Sequence, residues 1–334
     1  MKRWPAVLGV GVGLAILVAL IGAFGARGIG ALVVSAGWWL LLVIGLHVPQ
    51  TVLSAMAWRS LIDDPKRPTA ARMLGYRWIR ESVNTLLPVA QVGGDIVRAR
   101  LLALRGVKLS AAAASCTVDL TLEMASQVVF SLLGVGLLLM APHGDKVTQI
   151  AMITIGAAAV ITGAFIAFQR NGGLNALARM LTRVAEKREW SALGDISQFG
   201  TAVSALYRSP PRLAWSFLFH FASWMTGAVE TYAGLFALGL HPTLREAIVI
   251  ESLGQIVRAM GFVVPGALGV QEGGYILICG LFGIAPQGAL ALSLIRRVRE
   301  LVLGLPGLIA WQRIESGHSA SKAALIAAAP LLGE

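Results

Sequence analysis

The stretch GIGALVVSAGWWLLLVIGLHVPQTVLSAMAW, residues 28–58, contains no Asp, Glu, Lys or Arg. The runs 148–168 and 273–295 are also free of these residues. A helix needs about 20 mostly apolar residues to cross the hydrocarbon core of a bilayer, and each run reaches that length. Only 13% of the residues are charged, and the mean hydropathy is +0.73. The composition therefore predicts an all-α, polytopic integral membrane protein and argues against a soluble enzyme.

The net charge of +11 lies mostly between the predicted spans. This distribution favours basic cytoplasmic loops over nucleic-acid binding, because the chain has no basic, aromatic-bearing soluble module. Cys116 and Cys279 lie in apolar runs outside any C-x-x-C pattern, which argues against a zinc site or a disulfide framework. Nucleophile-elbow, zincin and P-loop motifs are absent, so we expect no enzyme activity, metal or cofactor.

Apolar runs separated by charged segments organise the chain as one membrane domain, 1–334. We predict about six spanning helices, over residues 5–25, 31–57, 109–140, 147–168, 213–240 and 287–311. The basic segments place both termini in the cytoplasm. The first half is 1–169 and the second is 213–315. Between them, the basic segment 170–212 forms either an amphipathic helix on the inner leaflet or an ordinary cytoplasmic linker helix. A cytoplasmic tail, 316–334, follows.

Two regions, 72–108 and 244–284, are too polar and too interrupted to be simple spans. The first contains LLPVAQVGGD (86–95) and the second VVPGALGVQEGG (263–274), and a Glu-Ser dipeptide precedes each motif. The predicted topology brings the two regions in from opposite faces, so we expect two re-entrant broken-helix segments related by an inverted repeat. Their hinges would be Pro88, Gly93, Gly94, Pro265, Gly273 and Gly274.

Several charged residues fall at membrane depth, where each costs about 2.5–3.5 kcal/mol on insertion scales. They must pair internally or line a polar cavity for a lipid headgroup, and both readings remain open. A third reading, a proton relay, applies to Asp119 and Glu123, which lie four residues apart on one helix face. The residues that we expect to line the cavity and bind substrate are Glu81, Asn84, Gln91, Asp95, Arg98, Glu251, Arg258, Gln271, Glu272, Arg296, Arg299 and Glu300.

The segments ESVNTLLPVAQVGGDIVRARLL (81–102) and PGALGVQEGGYILICGLF (265–282) resemble the flippase-like transmembrane region of lysylphosphatidylglycerol synthases. Within that superfamily the chain is most similar to the hopanoid-biosynthesis-associated HpnL-type proteins. The resemblance covers about residues 5–315 and implies a bacterial inner-membrane protein that moves or exposes lipids. The chain ends at Glu334 without the soluble aminoacyl-transferase domain, so we expect no synthase activity.

For the HpnL-type branch the implied substrate is a hopanoid. The alternatives are translocation of an anionic or aminoacylated phospholipid, and a membrane scaffold for lipid-modifying enzymes that transports nothing. The expected partners are membrane lipids and not nucleic acid. The sequence leaves open whether the protein forms a homo-oligomer or binds lipid-synthesis enzymes.

Overall fold

The computed structural model describes residues 18–87, 93–140, 198–261 and 267–328, with side chains to residue 317, and the isolated residues 149, 153, 156 and 160. This part of the chain is helical and contains no strand. The predicted spans over 5–25 and 147–168, and most of the basic segment 170–212, lie outside the described residues. The helices are α1 (Val18–Phe24), α2 (Ala26–Ala36), α3 (Trp39–Ser60), α4 (Ala70–Leu86), α5 (Gly93–Ala103), α6 (Leu109–Leu139), α7 (Phe199–Tyr207), α8 (Pro210–Ala237), α9 (Leu244–Met260), α10 (Val270–Gly280) and α11 (Pro286–Ala328).

The helix predicted over 109–140 is confirmed as α6, whereas the single helix predicted over 31–57 is wrong. The chain bends by 94° between α1 and α2, and it breaks again between α2 and α3. Both interruptions lie at glycines with positive φ, 88° at Gly25 and 50° at Gly37. Residues with a Cβ rarely adopt such angles, so these glycines end helices that hydropathy alone would continue. At the other end of the chain, α11 runs through the predicted end at 311 into the predicted tail.

Two of the described helices, α3 and α6, are long and apolar enough to cross a membrane. A third span results if the bent pair α1–α2 is counted as one. The described residues thus contain fewer clear spans than the sequence predicts.

Helices α3 to α6 and helices α8 to α11 follow the same plan. Helices α4 and α9 each have 17 residues, and α5 and α10 each have 11. Helices of these lengths are about 26 Å and 17 Å long, shorter than the roughly 30 Å hydrocarbon core. In both sets the consecutive helices pack on one another, and the sets meet where α3 packs on α8, α4 on α11 and α9 on α6.

Two of these three contacts, α4 on α11 and α9 on α6, share the same close approach of a serine to a glycine. Ser82 of α4 lies against Gly307 of α11, and Ser252 of α9 lies against Gly134 of α6. A Cβ added at either glycine would collide with the facing serine side chain. Small residues at these positions therefore let the helix backbones approach closely.

Polar residues separate two buried apolar clusters along the long helices. Helix α6 contributes Ala112 and Cys116 to one cluster and Val135 and Leu138 to the other. Its buried Asp119, Glu123 and Ser126 lie between those positions. Helices α3 and α11 follow the same order, with His47, Thr51 and Ser54 between the clusters on α3 and Arg296, Arg299 and Glu300 between them on α11. The fold thus contains a polar layer between its two apolar clusters.

Candidate functional site

The polar layer contains two networks of ion pairs. The first, called here the α6 network, joins α4, α5, α6 and α8 and consists of Arg77, Arg80, Asp95, Arg98, Asp119, Glu123 and His220. The second, called here the α11 network, joins α3, α4, α8, α9, α10 and α11. It consists of His47, Glu81, Glu230, Glu251, Arg258, Glu272, Arg296, Arg297, Arg299 and Glu300.

In the α6 network, two arginines from α4 converge on Glu123. Arg77 donates to both Glu123 oxygens at 2.5 and 3.3 Å, and Arg80 donates to them at 3.1 and 3.3 Å. Arg80 also donates to Asp95 at 3.1 Å. The spacing of Arg77 and Arg80 places both guanidinium groups on one face of α4, which is why a single carboxylate can hold them both.

Arg98 of α5 is fully buried at the other end of the α6 network. Its guanidinium pairs with Asp119 at 2.5 Å and with Asp95 at 2.8 Å, and it donates to the Cys116 carbonyl at 3.2 Å. The ring of Trp58 covers it, with 4.7 Å between the guanidinium carbon and the ring centroid. Burial on this scale requires such pairing, because an isolated charge away from water is strongly unfavourable.

In the α11 network, each arginine from α11 pairs with a glutamate from another helix. Arg296 contacts Glu251 of α9, Arg297 contacts Glu272 of α10, and Arg299 contacts Glu230 of α8. Glu300 pairs with Arg258 at 3.2 Å and with Arg297 at 2.9 Å. The network therefore connects α11 to the whole second half of the chain.

His47 links the α11 network to α4. Its Nδ1 lies 3.1 Å from Glu230, and its Nε2 lies 3.0 Å from Glu81. Thr51, one turn further along α3, donates to Glu81 at 3.3 Å. His47 thus takes part in the contact of α3 with α4 and in the contact of α3 with α8.

The short helices after the breaks, α5 and α10, begin with polar caps. Asn84 accepts a hydrogen bond from the Gly94 amide at 2.7 Å, and Glu272 accepts one from the Gly269 amide at 2.6 Å. Glu272 also accepts from Ser293 at 3.1 Å. These contacts satisfy amides at helix starts that have no intrahelical partner. Capping is therefore the role in which the structure places Asn84, and it is one of two roles for Glu272.

The four predicted hinge residues that the structure describes lie near the starts of α5 and α10. Gly94 lies against α4 and Gly274 lies against α9, and a Cβ at either glycine would collide with the helix that it faces. Gly93 is the first residue of α5, and Gly273 has open space around it. Pro88 and Pro265 lie outside the described residues, as does Gln91. The hinge role of all these positions stays a prediction.

The structure divides the predicted cavity residues between the two networks. Asp95 and Arg98 belong to the α6 network, whereas Glu81, Glu251, Arg258, Glu272, Arg296, Arg299 and Glu300 belong to the α11 network. Gln271 is buried beside Glu272, and its side-chain oxygen has no partner among the described residues. Asp119 and Glu123 both accept hydrogen bonds from arginines, and a proton relay through them stays a prediction.

Six residues of the networks are missing from the predicted site: His47, Arg77, Arg80, His220, Glu230 and Arg297. Of the two histidines, His220 contacts Asp119 at 2.9 Å. A signal for the arginines was available, because Arg77, Arg80, Glu81 and Asn84 follow one another at helical spacing. Among the described residues, no group of His, Cys, Asp and Glu could hold a metal ion.

A sequence family described as the lysylphosphatidylglycerol synthase TM region matches residues 6–307. A UPF0104 membrane protein of Methanothermobacter thermautotrophicus is 25% identical over 322 residues, which cover 89% of this chain and 90% of that protein. No solved structure matches the chain.

Proposed function

Since the chain belongs to the family of the lysylphosphatidylglycerol synthase transmembrane region, we propose that this membrane protein moves or exposes a lipid across the bilayer. We place it in a bacterial inner membrane, as its resemblance to the flippase-like family implies, with both termini in the cytoplasm, as the distribution of basic residues suggests. The proposal includes no enzyme activity.

The observation that carries this proposal is the polar layer between the two apolar clusters. Charged residues of α6 and α11 lie between the apolar clusters, and residues from several helices meet there. Insertion of a charge into the interior of a bilayer is costly. Intramembrane ionisable groups of this kind mark substrate or ion pathways in membrane proteins. A protein that served only as an anchor would need no such layer.

We further propose that the two halves form an inverted repeat with re-entrant segments. The matched helix lengths, the equivalent packing of α4 on α11 and of α9 on α6, and the equivalent serine–glycine contacts all support it. Helices too short to cross the core, joined at a break, are the kind of element that holds transport sites in repeat-built transporters. Both broken segments would then reach the polar layer from opposite faces.

The pairing of charges favours a headgroup that carries hydroxyl groups and little charge. Every arginine of the two networks already contacts a carboxylate, so an anionic headgroup would have to displace an internal partner. Hydroxyl groups could instead share the carboxylate and amide oxygens, including the Gln271 oxygen. We therefore place a hopanoid first among the substrates and an anionic or aminoacylated phospholipid second.

The test is reconstitution into vesicles with labelled lipid in one leaflet. We expect the wild type to speed the appearance of a labelled hopanoid in the other leaflet, and Glu272→Gln to slow it by about tenfold or more, since one charge partner of Arg297 is lost. The matched control is Arg313→Gln, on the exposed face of α11. If no lipid crosses faster than in empty vesicles, the proposal fails. If only the phospholipid crosses, the hopanoid assignment fails.

The complete pairing of the charges also favours a second function, a membrane scaffold for lipid-modifying enzymes. In that case the networks would only hold helices together. Charge-removing variants would then lower the amount of folded protein, and those that still fold would behave as the wild type in cells. A Glu272→Gln variant that folds normally and fails to move lipid would exclude the scaffold.

A further inference from the structure

His47 lies between two carboxylates, and this arrangement requires one more proton than neutral histidine carries. Nδ1 contacts Glu230 at 3.1 Å, and Nε2 contacts Glu81 at 3.0 Å. A neutral imidazole has only one N–H, so one of these contacts would join a nitrogen lone pair to a carboxylate oxygen. Both contacts become hydrogen bonds only if the imidazole is protonated or if one carboxylate is.

The charge balance of the α11 network independently indicates the same extra proton. It contains four arginines, Arg258, Arg296, Arg297 and Arg299, and five glutamates, Glu81, Glu230, Glu251, Glu272 and Glu300. One proton on His47 or on a glutamate neutralises it. The α6 network has three arginines and three acidic residues, and its His220 contacts a single carboxylate, so it needs no further proton.

The side chains of the three groups differ in how exposed they are. The side chain of Glu81 is 34% exposed, whereas those of His47 and Glu230 are 9% and 2% exposed. Glu230 is also held by Arg299. A proton would therefore enter and leave through Glu81, which Thr51 orients by a hydrogen bond. The other charged groups that act on the three residues are Arg77 of α4 and Arg296 and Arg299 of α11.

The position of His47 connects this proton to the packing of the two halves. It lies on α3, Glu81 on α4 and Glu230 on α8, and α3 packs on α8 where the halves meet. Loss of the proton would replace one hydrogen bond by a repulsive contact between a lone pair and a carboxylate. The deprotonated state would thus weaken either the contact of α3 with α4 or that of α3 with α8.

We propose that Glu81, His47 and Glu230 form a proton-binding site whose occupancy controls the contact between the two halves. The inference that a proton binds here depends only on the geometry of the three side chains. Its consequence, that lipid movement depends on protons, rests on the proposed function.

The first test measures the proton directly in the reconstituted protein. Solid-state NMR of ¹⁵N-histidine and ¹³C-glutamate gives the protonation of each ring nitrogen and carboxyl group, and a His47→Gln variant assigns the signals. Near pH 7 we expect either an imidazolium at His47 or one protonated carboxyl at Glu81 or Glu230. His220, as an internal control, should carry a single N–H. A His47 with one N–H beside two ionised carboxylates would overturn the proposal.

The variant Glu81→Gln sharpens this measurement. A glutamine amide can donate to the imidazole, so the lone-pair conflict disappears without a proton. We expect the variant to fold, to show His47 with one N–H, and to show Glu230 ionised. If the extra proton persists in this variant, it is not held by the three residues, and the assignment fails.

The second test measures lipid movement in vesicles between pH 5 and pH 8. We expect the wild-type rate to change by up to about tenfold per pH unit, the limit for one bound proton, and Glu81→Gln to lose this dependence. A rate that is the same at every pH would refute the proposal that the bound proton controls the contact between the two halves. If no lipid moves at any pH, the proposed function fails, while the NMR result still decides whether the site binds a proton.

Discussion

Removing the buried cation Arg98 should destabilise the protein strongly, because it leaves the α6 network with an excess negative charge. In Arg98→Met the packing volume is largely kept, but Asp119 retains only His220, and Asp95 retains only Arg80. Two opposite unit charges about 4 Å apart interact by about 4 kcal/mol at an effective dielectric constant near 20. Breaking a buried pair by removing one partner typically costs about 3–5 kcal/mol. We therefore expect a loss of about 3–5 kcal/mol in the free energy of unfolding.

The assay is equilibrium unfolding in detergent micelles, followed by the fluorescence of the nine tryptophans. Since 1.36 kcal/mol corresponds to a tenfold change, the unfolding constant should rise on the order of 10²–10⁴-fold. The matched control is Arg313→Met, at an exposed position of α11, which should change the stability by less than about 0.5 kcal/mol.

The double variant Arg98→Met with Asp119→Leu separates the effect of the unpaired charge on stability from the effect of changed packing. Two arginines, Arg77 and Arg80, then remain with two carboxylates, Asp95 and Glu123, so the charges of the α6 network are again equal in number. Replacing both members of a buried pair by apolar residues is often neutral or stabilising. We expect the double variant to lie within about 1 kcal/mol of the wild type. A double variant less stable than Arg98→Met alone would refute the reasoning that the unpaired charge causes the loss.

The other predictions concern helix packing and the loop after α3. Gly134→Ala should lower stability by about 1–3 kcal/mol, because its Cβ would collide with Ser252, whereas Gly136→Ala on the same helix meets no neighbour and should be neutral or slightly stabilising. The hydrogen bond from Arg212 lowers the pKa of Asp63. This exposed pair therefore adds a little stability at pH values above the ordinary carboxyl pKa. That stability is lost as the pH falls through the lowered pKa of Asp63. Asp63→Asn should therefore shift the melting temperature slightly at pH 7 and not at pH 2, and an equal shift at both would contradict the pairing.

Much of the fold could be predicted because the decisive signals are local. A mostly apolar run of sufficient length predicts a membrane helix wherever it occurs, and α6 follows the predicted range 109–140 closely. The broken segments were recognisable from their Pro and Gly residues, and α4 and α5 lie on either side of 88–92. The helix predicted over 31–57 failed because hydropathy does not register a glycine at which the chain adopts a positive φ.

The candidate site was predicted only in part, because ion pairing depends on contacts between distant segments. The sequence marked Asp119, Glu123 and the arginines of α11 as buried charges, since they interrupt apolar runs. It did not reveal that Asp119 pairs with Arg98 and His220, or that the predicted residues belong to two networks. Periodicity places a side chain on a face of its own helix and says nothing of the helix opposite.

By itself, then, the sequence determined the all-α character, the apolar spans and the two interrupted regions. Only the tertiary structure decided that α4 packs on α11 and α9 on α6, and that His47 lies between Glu81 and Glu230. His47 is 34 residues from Glu81 and 183 from Glu230 along the chain. The physical reason is the range of the forces: transfer of a segment into lipid depends on its own composition, whereas the partner of a buried charge depends on which helices fold against it.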